Sequence, residues 1–572
     1  DAGAVDLEAR GAADRGEGGM RPDAPVALGR ERARDPWSPW GPFLFAVIGV
    51  LLAFRVPLAS GFERLHLDEG DVRHLNYVLE HAWLWASGNP AHDRFWSPPV
   101  FYPQQNTEAL GENLLGLLPF YAPFRLAGVS AETAFQLVII SSLLASFAAG
   151  YALFRKGFRV GALGAAAGAY LFAFGAPRVQ RLQHAHLLLQ AFTALAVLAL
   201  IEAFRESEAG RPRRASAWVG AFIGSCVAQV YGGMYLGWFL AFGLGLALVA
   251  GLSRRADATS VLRLARSTWP TLLAGSVLAS LALLPLALPY SKAAAELGPR
   301  SFDSVIPFLP PLKAWLNPGP TSVLYGSWLG QWDVFGRLPF SWEKQFFTGF
   351  ATLAAIAWGT VRLRTSPPFR ICLVSAALLV LLATSWPGGH TLWRPVFEML
   401  PGASSVRAVG RLILLLLVPA GAALAMTVDA LFRRSRAAAV GLVLLVGAEQ
   451  LQSLPSFETG PVRARVDAVA AAIPQDCAAF YYSPILSGKP FWVTQLDAMW
   501  ASVATGVPTV NGYSSSHPRV WEPLMAHELS FRDEPRVRSA LTRWLASKGL
   551  PPESVCWVQL PGKATPPGDQ RK

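Results

Sequence analysis

Charged side chains are scarce in this chain, and cysteines are few. Lys, Arg, Asp and Glu make up 15% of the 572 residues, against about 25% in an average soluble domain. Acidic residues are missing near the middle of every long apolar segment. Four cysteines are too few to hold a small disulfide-rich scaffold together. These absences exclude an ordinary soluble domain and a disulfide scaffold, and they point to a membrane protein.

What the chain has instead is a series of long apolar segments. A membrane-crossing helix needs about 20 apolar residues, because the hydrocarbon core is about 30 Å thick and offers the backbone no hydrogen bonds. Hydrophobic residues make up 52% of the chain. The sequence therefore predicts an all-α polytopic membrane protein, either an enzyme or a transporter. The eleven candidate segments are 42–60, 132–154, 160–177, 184–204, 214–231, 233–251, 269–290, 346–363, 370–386, 409–431 and 437–454.

Basic residues at the ends of these segments indicate how the chain is threaded. The net charge is +12, but the arginines form five separate clusters, and each cluster is two predicted crossings away from the next. Because basic loops stay on the cytoplasmic side, all five clusters can face the cytoplasm, and the charge does not indicate a nucleic-acid partner. The N-terminus is then cytoplasmic. The regions predicted to lie outside are 61–131, 178–183, 291–345, 387–408 and everything after 455.

The composition divides the chain into four regions. Residues 1–38 are charged and have no apolar face, so we expect a disordered cytoplasmic lead. Residues 39–454 form the transmembrane domain, in which the short, proline-containing segment 112–126 is predicted to lie at the outer interface. Residues 455–560 have the composition of a soluble domain and follow the last crossing. A disordered tail is expected at 561–572.

The region 455–560 alternates between helical and strand patterns, which predicts a small extracytoplasmic α/β domain. Cys477 and Cys556 each stand at the start of a predicted strand, and in an oxidising compartment they could pair. The loop 508–518 carries aromatic and hydroxyl side chains. Two interpretations remain open: the loop contacts a sugar, or it is an ordinary connection between elements. The predicted helices are 462–473, 494–505 and 535–548, and the predicted strands are 478–483 and 556–560.

Three carboxylates stand close together after the first apolar segment: Asp68, Glu69 and Asp71. At the mouth of a helical bundle they are costly to desolvate, so they need a charged partner, a divalent cation or a proton. Two plainer interpretations remain open. The carboxylates are solvated loop charges, or Asp71 caps the amphipathic helix that follows it.

A second polar group precedes the fourth apolar segment and consists of Arg178, His184 and His186. On a helix, residues two apart point in different directions, so the two histidines are expected not to face one ligand. A metal site together with His66 and Asp68 has no support from the spacing. The alternative is that these histidines are satisfied interfacial residues.

A third group is formed by Arg407 and Arg411, where a loop enters another predicted crossing. A spacing of four residues places both side chains on one helical face. Two guanidinium groups at the depth of lipid phosphates suit a phosphate or pyrophosphate. The alternative is that they extend to the headgroups of ordinary lipids.

The order of these motifs along the chain resembles that of the GT-C superfamily of integral-membrane glycosyltransferases. More narrowly, they are similar to a group of bacterial multi-pass proteins that includes enzymes adding sugars to teichoic acids. Val72 and Ser515 stand where that group has proline and glycine, and neither change removes a functional group. The matching stretches are Gly70 with Asp71, 101–103, 112–124, 172–184, 407–411 and 507–518.

The resemblance implies a sugar donor linked to polyprenyl phosphate and an acceptor that is a glycan, a lipid or a protein. The transfer usually inverts the anomeric centre. A carboxylate outside the membrane takes the proton from the acceptor hydroxyl. By this resemblance the base is Asp71, or else Asp68 or Glu69, since the latter pair resembles the acidic dyad of other members. No cofactor is indicated with certainty, although a divalent cation could join the carboxylates.

The resemblance also assigns roles to basic residues, because the leaving group is a lipid phosphate whose developing charge needs cations. Arg407 and Arg411 would bind the donor phosphate, with Arg178 and His184 as weaker helpers. Glu112 would orient the acceptor. In the loop 291–345, three tryptophans form either a sugar-stacking wall or interfacial anchors; they are Trp315, Trp328 and Trp332.

Two other classes of protein share parts of this pattern. A transporter or a lipid flippase for envelope precursors is also polytopic, but it usually shows repeats, interrupted helices and ionisable residues at the midplane. Here Asp429 and Glu449 stand near the ends of predicted crossings, and the halves show no convincing repeat. The acidic loop favours a reaction at the membrane surface. A catalytically silent relative that scaffolds an envelope assembly is the third possibility.

Overall fold

The structure is a computed structural model that describes residues 40–363, 366–484, 489–524 and 534–560. It is mostly helical, with 69% helix and 4% strand, in agreement with the predicted all-α architecture. The predicted lead (1–38) and the predicted tail (561–572) lie outside the described residues.

Twenty α-helices and four short strands are described, connected by loops that contain short 3₁₀ turns. The helices are α1 (Gly41–Ala53), α2 (Arg55–Ala59), α3 (Asp71–Ala86), α4 (Leu118–Leu126), α5 (Ala131–Ala152), α6 (Ala162–Phe174), α7 (Ala176–Val179), α8 (Ala191–Glu208), α9 (Pro212–Gly232), α10 (Met234–Leu252), α11 (Arg255–Leu297), α12 (Asp333–Gly336), α13 (Phe350–Leu363), α14 (Pro367–Ala383), α15 (Trp393–Met399), α16 (Ile413–Arg434), α17 (Arg436–Glu449), α18 (Thr459–Ala471), α19 (Phe491–Thr505) and α20 (Glu534–Ala546). The strands are β1 (Arg64–His66), β2 (Ser456–Glu458), β3 (Phe480–Pro484) and β4 (Cys556–Leu560).

Within the described ranges, five helical segments are long and apolar enough to cross a membrane. Each of the eleven predicted segments contains an α-helix. The eleven crossings and the sidedness of the loops stay predictions. The five segments are Ala131–Gly157, Ala185–Glu208, Met234–Leu252, Arg255–Leu297 and Val409–Arg434, and shorter apolar helices are Gly41–Ala53, Phe350–Val361 and Pro367–Ala383.

The largest differences from the predicted segments lie at helix starts. The segment predicted from 184 becomes α-helical only at Ala191, because the Arg178 side chain binds the carbonyl oxygens of Leu187 and Leu188 and holds a turn there. The segment predicted from 269 is the second part of α11, a helix of 43 residues. Its first part is rich in Arg, Leu and Ala, which favour helix. This part carries too many charges to be recognised as a membrane segment from the sequence.

Two glycines allow helices α6 and α16 to pack closely in the centre of the bundle. A Cβ atom on Gly164 would stand 2.4 Å from the carbonyl oxygen of Ala425, and one on Gly168 would stand 2.5 Å from that of Gly421. Small residues at such contacts let helix backbones approach each other in membrane proteins. The two glycines of α6 therefore determine how closely α16 packs against it, and α16 begins two residues after Arg411.

Gly168→Val is expected to destabilise the protein by about 1–3 kcal/mol, because the added side chain would overlap the α16 backbone. Gly224→Val in α9 is the matched control, since a Cβ there meets no atom within 4 Å. Thermal unfolding of both variants in detergent measures the difference. Equal unfolding midpoints would contradict the close approach of α6 and α16.

The region after 455 contains helices and strands close to where the sequence predicts them. Strand β3 pairs with β4 in parallel, and helices α18, α19 and α20 accompany this two-stranded sheet. A disulfide joins Cys477 to Cys556, whose Cα atoms are 6.0 Å apart, so the pairing considered from the sequence is present. Strand β2 pairs antiparallel with β1 of the loop 61–131. The boundaries and the extracytoplasmic location of this region stay predictions.

Candidate active site

Asp71 is the first residue of helix α3 and follows strand β1 after a short turn. Its Oδ1 accepts a hydrogen bond from the Tyr513 hydroxyl at 3.1 Å, and its Oδ2 lies 3.3 Å from Nδ1 of His184. The side chain is 40% exposed, and no described lysine or arginine forms an ion pair with it. A carboxylate at a helix N-terminus is favoured by the helix dipole. Asp71 is thus accessible and is oriented by a phenol and an imidazole.

Glu69 has a different environment from Asp71. Its carboxylate pairs with Arg465, lies 3.4 Å from the ammonium group of Lys489 and lies 3.8 Å from the guanidinium group of Arg73. These contacts connect the turn before α3 to the region after 455. The charge of Glu69 is therefore compensated by three cations, and its carboxylate fixes structure.

Asp68 shapes the turn that leads into α3. Its Oδ1 accepts the backbone N–H of Gly70 at 2.8 Å. Desolvation raises the pKa of Asp68 above its ordinary value, and the neighbouring charge of Asp71 acts in the same direction. Asp68 therefore holds a proton more firmly than an exposed carboxyl group does. Glu69 thus forms ion pairs, and Asp68 accepts a backbone hydrogen bond from its own turn. Among the described contacts, Asp71 forms neither an ion pair with lysine or arginine nor a hydrogen bond with that turn.

Arg411 and Glu343 form a buried ion pair beside Asp71. Nη2 of Arg411 lies 2.5 Å from Oε1 of Glu343, and both side chains are largely buried. Burial alone would raise the pKa of Glu343, but the charge and hydrogen bonds of Arg411 offset burial and hold that pKa well below its usual value. Arg411 also donates to Nε2 of His184 at 3.2 Å and to Nε2 of His186 at 3.4 Å.

His184 connects this ion pair to Asp71. Its Nε2 lies 3.2 Å from Nη2 of Arg411 and 3.6 Å from Oε1 of Glu343. Its other ring nitrogen, Nδ1, faces Oδ2 of Asp71 at 3.3 Å. Glu343, Arg411 and His184 thus form a chain of contacts that ends at Asp71.

The prediction that His184 and His186 face different directions is wrong, because neither residue lies in an α-helix. Residues Ala185–Leu187 form a short 3₁₀ turn before α8, and the two imidazole rings lie 5.6 Å apart. Both rings contact the same guanidinium group. The turn brings the histidines together where a regular helix would separate them.

Arg407 and Arg411 do not share a helical face as predicted, because helix α16 begins only at Ile413. Arg407 lies in the preceding loop, exposed, with its guanidinium group 5.0 Å from the centre of the Phe308 ring. Burial lowers the pKa of Arg300, and the charge of Arg407 acts in the same direction. In the part of the chain that the structure describes, neither has a carboxylate partner. Two uncompensated guanidinium groups suit a phosphate.

Two predicted site residues have other contacts. Arg178 is fully buried, and it donates to carbonyl oxygens in the segment 172–188, which places it outside the cluster around Asp71. Glu112 accepts the backbone N–H groups of Met234 and Tyr235 at 3.0 and 3.2 Å, at the start of α10. Burial raises the pKa of Glu112 to about 7.

The three tryptophans of loop 291–345 are not equivalent. Trp315 donates to the Thr384 hydroxyl at 3.1 Å and packs against Phe346, so it belongs to the packed interior. Trp328 and Trp332 are exposed, with ring centres 6.4 Å apart. The exposed pair keeps both predicted roles open, sugar stacking and anchoring at the membrane interface.

The sequence interpretation missed Glu343, Tyr513 and Arg300. Tyr513 stands in the loop 508–518, where a sugar contact was considered, but no spacing links it to Asp71. Glu343 is the single acidic residue of the aromatic run 338–350. An isolated carboxylate among aromatic residues could have indicated a site residue. Among the described residues, no group of three or more His, Cys, Asp or Glu side chains is placed to hold a metal ion.

A comparison with protein-family models finds no match, and a comparison with curated proteins finds none either. Among solved structures, the chain is similar to the Archaeoglobus fulgidus oligosaccharyltransferase in complex with Zn and sulfate, with 14% identity, a TM-score of 0.46 and coverage of 82% of this chain and 62% of that one. It is also similar to ArnT from Cupriavidus metallidurans in the apo state, with 15% identity, a TM-score of 0.42 and coverage of 87% and 88%. The chain thus spans less than two thirds of the oligosaccharyltransferase.

Proposed function

We propose that this protein is a membrane glycosyltransferase that transfers a sugar from a polyprenyl-phosphate donor to an acceptor of the cell envelope. The reaction takes place on the outer face of the cytoplasmic membrane. Asp71 is the general base, and Arg407 with Arg300 binds the donor phosphate. The acceptor is a glycan, a lipid or a protein that offers a hydroxyl group.

One observation carries this proposal: an accessible carboxylate that forms no ion pair with a described lysine or arginine stands at the start of α3. Asp71 is held by Tyr513 and His184. The exposed guanidinium group of Arg407 has no carboxylate partner among the described residues, which supports its role at the phosphate. A base and a cation of this kind suit the transfer of a sugar away from a phosphate.

The reaction is a single displacement. The acceptor oxygen attacks C1 of the donor sugar, and a new C1–O bond forms while the bond from C1 to the phosphate oxygen breaks. Asp71 takes the acceptor proton as the attack proceeds, which removes positive charge from the attacking oxygen. The phosphate leaves with the electron pair, and the guanidinium groups of Arg407 and Arg300 stabilise its charge. One displacement of this kind inverts the configuration at C1.

Arg411 has a positioning role in this proposal. The sequence interpretation placed it on the phosphate with Arg407, but its charge is compensated by Glu343. It orients His184, which in turn keeps the Asp71 carboxylate in place. Asp71 can then offer a lone pair to the acceptor without rotating away.

Sugar transfer in proteoliposomes tests the function. Purified protein is supplied with a panel of polyprenyl-phosphate sugars and a cell-envelope extract, and the labelled sugar is followed into acceptors. Transfer by the wild type is expected. If the wild type transfers no sugar but moves labelled lipid between leaflets, the protein is a flippase and the proposed function is wrong.

Glu69→Gln is expected to retain the transfer rate within about threefold and to lower stability by about 1 kcal/mol or less, because it removes partly exposed ion pairs and no reacting group. Single-turnover transfer and thermal unfolding measure the two effects on the same preparation. A loss of transfer as large as that of an Asp71 variant would assign Glu69 to the chemistry instead.

A further inference from the structure

A stacked pair of aromatic rings lies under the guanidinium group of Arg407. This group is 5.0 Å from the centre of the Phe308 ring. Phe308 stacks on Phe340, with ring centres 4.2 Å apart and an angle of 15° between the ring planes. Arg407 is exposed, and a long exposed side chain keeps many rotamers open unless a contact selects one. Because a ring face attracts a guanidinium group, the ring of Phe308 is a contact that directs this cation.

One buried ammonium group joins the segments that carry both rings. Nζ of Lys344 donates to the carbonyl oxygen of Pro307 at 2.6 Å and to that of Pro339 at 2.8 Å. These two prolines directly precede Phe308 and Phe340. Lys344 is 2% exposed, and it forms no ion pair with a described carboxylate. A buried charge is costly unless it is paired or hydrogen-bonded, and hydrogen bonds from an ammonium group are stronger than those between neutral groups. Lys344 therefore holds the two segments together.

The backbone at Phe340 requires a support of this kind. Its φ is 50° and its ψ is 51°, in the left-handed region that residues with a Cβ atom seldom adopt. Such a conformation persists only when the surrounding structure holds it. The hydrogen bond from Lys344 fixes the carbonyl group of Pro339, which belongs to the peptide immediately before Phe340. Without this bond the segment can relax, and the ring can move away from Phe308.

Separate contacts hold Glu343, the residue directly before Lys344. Its carboxylate pairs with Arg411 at 2.5 Å, and its carbonyl oxygen accepts from Arg181 at 3.0 Å. The carbonyl oxygen of Lys344 accepts from the amide group of Asn317 at 3.0 Å. The backbone of this turn is thus fixed without the ammonium group. Removing that group should loosen the ring pair and leave Glu343, and the contacts that lead from it to the base, in place.

We propose that Lys344 is a positioning residue of the donor site. Its ammonium group keeps Phe308 and Phe340 stacked, and the stacked rings hold the guanidinium group of Arg407 for the departing phosphate. The inference rests on the proposed function, because that function places the phosphate at Arg407. Lys344 touches no reacting atom in this role and acts only through the rings.

Hydrogen exchange tests the structural part of this inference without any transfer. Lys344→Met keeps the length of the side chain but removes its donors. The hydrogen-bonded amides of the segments 305–309 and 338–343 should then exchange about fivefold faster than in the wild type, since two hydrogen bonds that hold these segments are lost. Mass spectrometry of peptides from the purified protein in detergent measures the rates.

Lys313→Met is the control for the exchange experiment. Lys313 lies in the same loop, and its ammonium group donates no hydrogen bond to a described residue, so its loss removes an equal charge without removing a tether. Exchange in Lys313→Met should match the wild type. Unchanged exchange in Lys344→Met, or an equal rise in both variants, would overturn the inference.

Transfer rates test the role at the phosphate. Lys344→Met should lower kcat about tenfold and change the acceptor KM by less than about twofold, because a displaced cation weakens stabilisation of the transition state and leaves acceptor binding intact. Phe308→Leu, which removes the ring face under Arg407, should lower kcat about fivefold. Both losses should shrink with a donor that carries a better leaving group. Lys313→Met should transfer sugar like the wild type.

A double-mutant cycle separates positioning from an independent effect. If Lys344 acts through Arg407, Lys344→Met should lower kcat by less than about twofold in the Arg407→Gln background, because the effects of residues in one chain of contacts are not additive. Losses that multiply would show that Lys344 acts on the phosphate or on the fold by itself, and would overturn the inference.

The failure of this inference differs from the failure of the proposed function. A wild type that transfers sugar, with kcat unchanged in Lys344→Met and Phe308→Leu, would overturn the inference while the proposed function stands. A wild type that transfers no sugar would refute the proposed function and with it the role at the phosphate. The exchange rates would then still decide whether Lys344 holds the ring pair.

Discussion

Asp71→Asn should lower the rate of sugar transfer by about 10²–10⁴-fold, the range that a positioned general base contributes. The amide has the size of the carboxylate and can still accept from Tyr513, but it cannot take the acceptor proton. Because the site remains folded and its cations remain in place, the affinity for the donor should be unchanged. Single-turnover transfer with saturating acceptor measures the rate, and binding of a labelled donor measures the affinity.

Asp68→Asn is the control for this experiment, since Asp68 is only a few residues away and its Oδ1 accepts a backbone N–H, which an amide oxygen can also do. Its transfer rate is expected within about tenfold of the wild type. If Asp68→Asn abolished transfer and Asp71→Asn did not, the assignment of the base would be reversed.

Arg407→Gln is expected to lower kcat by about 10²-fold, because it removes one of the cations that stabilise the departing phosphate. Arg407→Lys should recover part of this loss, since it keeps the charge but not the planar pair of donors. The effect should shrink when a donor with a better leaving group replaces the lipid phosphate, because less charge then needs stabilisation. Transfer rates with both donors measure this difference.

Arg394 provides the matched control. Its guanidinium group also lies over a phenylalanine ring, 5.8 Å from the centre of Phe302, but it pairs with Glu398 at 2.8 Å. Arg394→Gln should therefore leave transfer unchanged. Equal losses in Arg394→Gln and Arg407→Gln would show that the general positive charge of this surface matters and that Arg407 has no particular role.

The sequence predicted most of the helices because apolar runs dominate their stability in a membrane. It failed where polar side chains hold the backbone. Residues 185–190 are apolar enough to continue a helix, yet Arg178 binds the carbonyl oxygens of Leu187 and Leu188 and turns the chain. That turn is what brings His184 to Asp71, so the error in the helix start was also an error about the site.

Within the site, the sequence identified side chains but could not pair them. Asp71 stood out because three carboxylates at the end of an apolar segment are unusual. The partner of Arg411 is Glu343, 68 residues away along the chain, and Tyr513 is 442 residues from Asp71. Periodicity describes neighbours on one helix, and it carries no information about contacts between distant loops. For this reason, the sequence interpretation placed Arg411 on the phosphate, although this arginine forms an ion pair with Glu343.

The contact between Asp71 and Tyr513 also sets an order of events during biosynthesis. The ribosome produces Asp71 before most of the bundle helices, and Tyr513 only 442 residues later. Strand β1 waits in the same way for β2, which begins at Ser456. A partly synthesised chain therefore has bundle helices, but the contact between its Asp71 carboxylate and a phenol forms only after the residues around Tyr513 have been added.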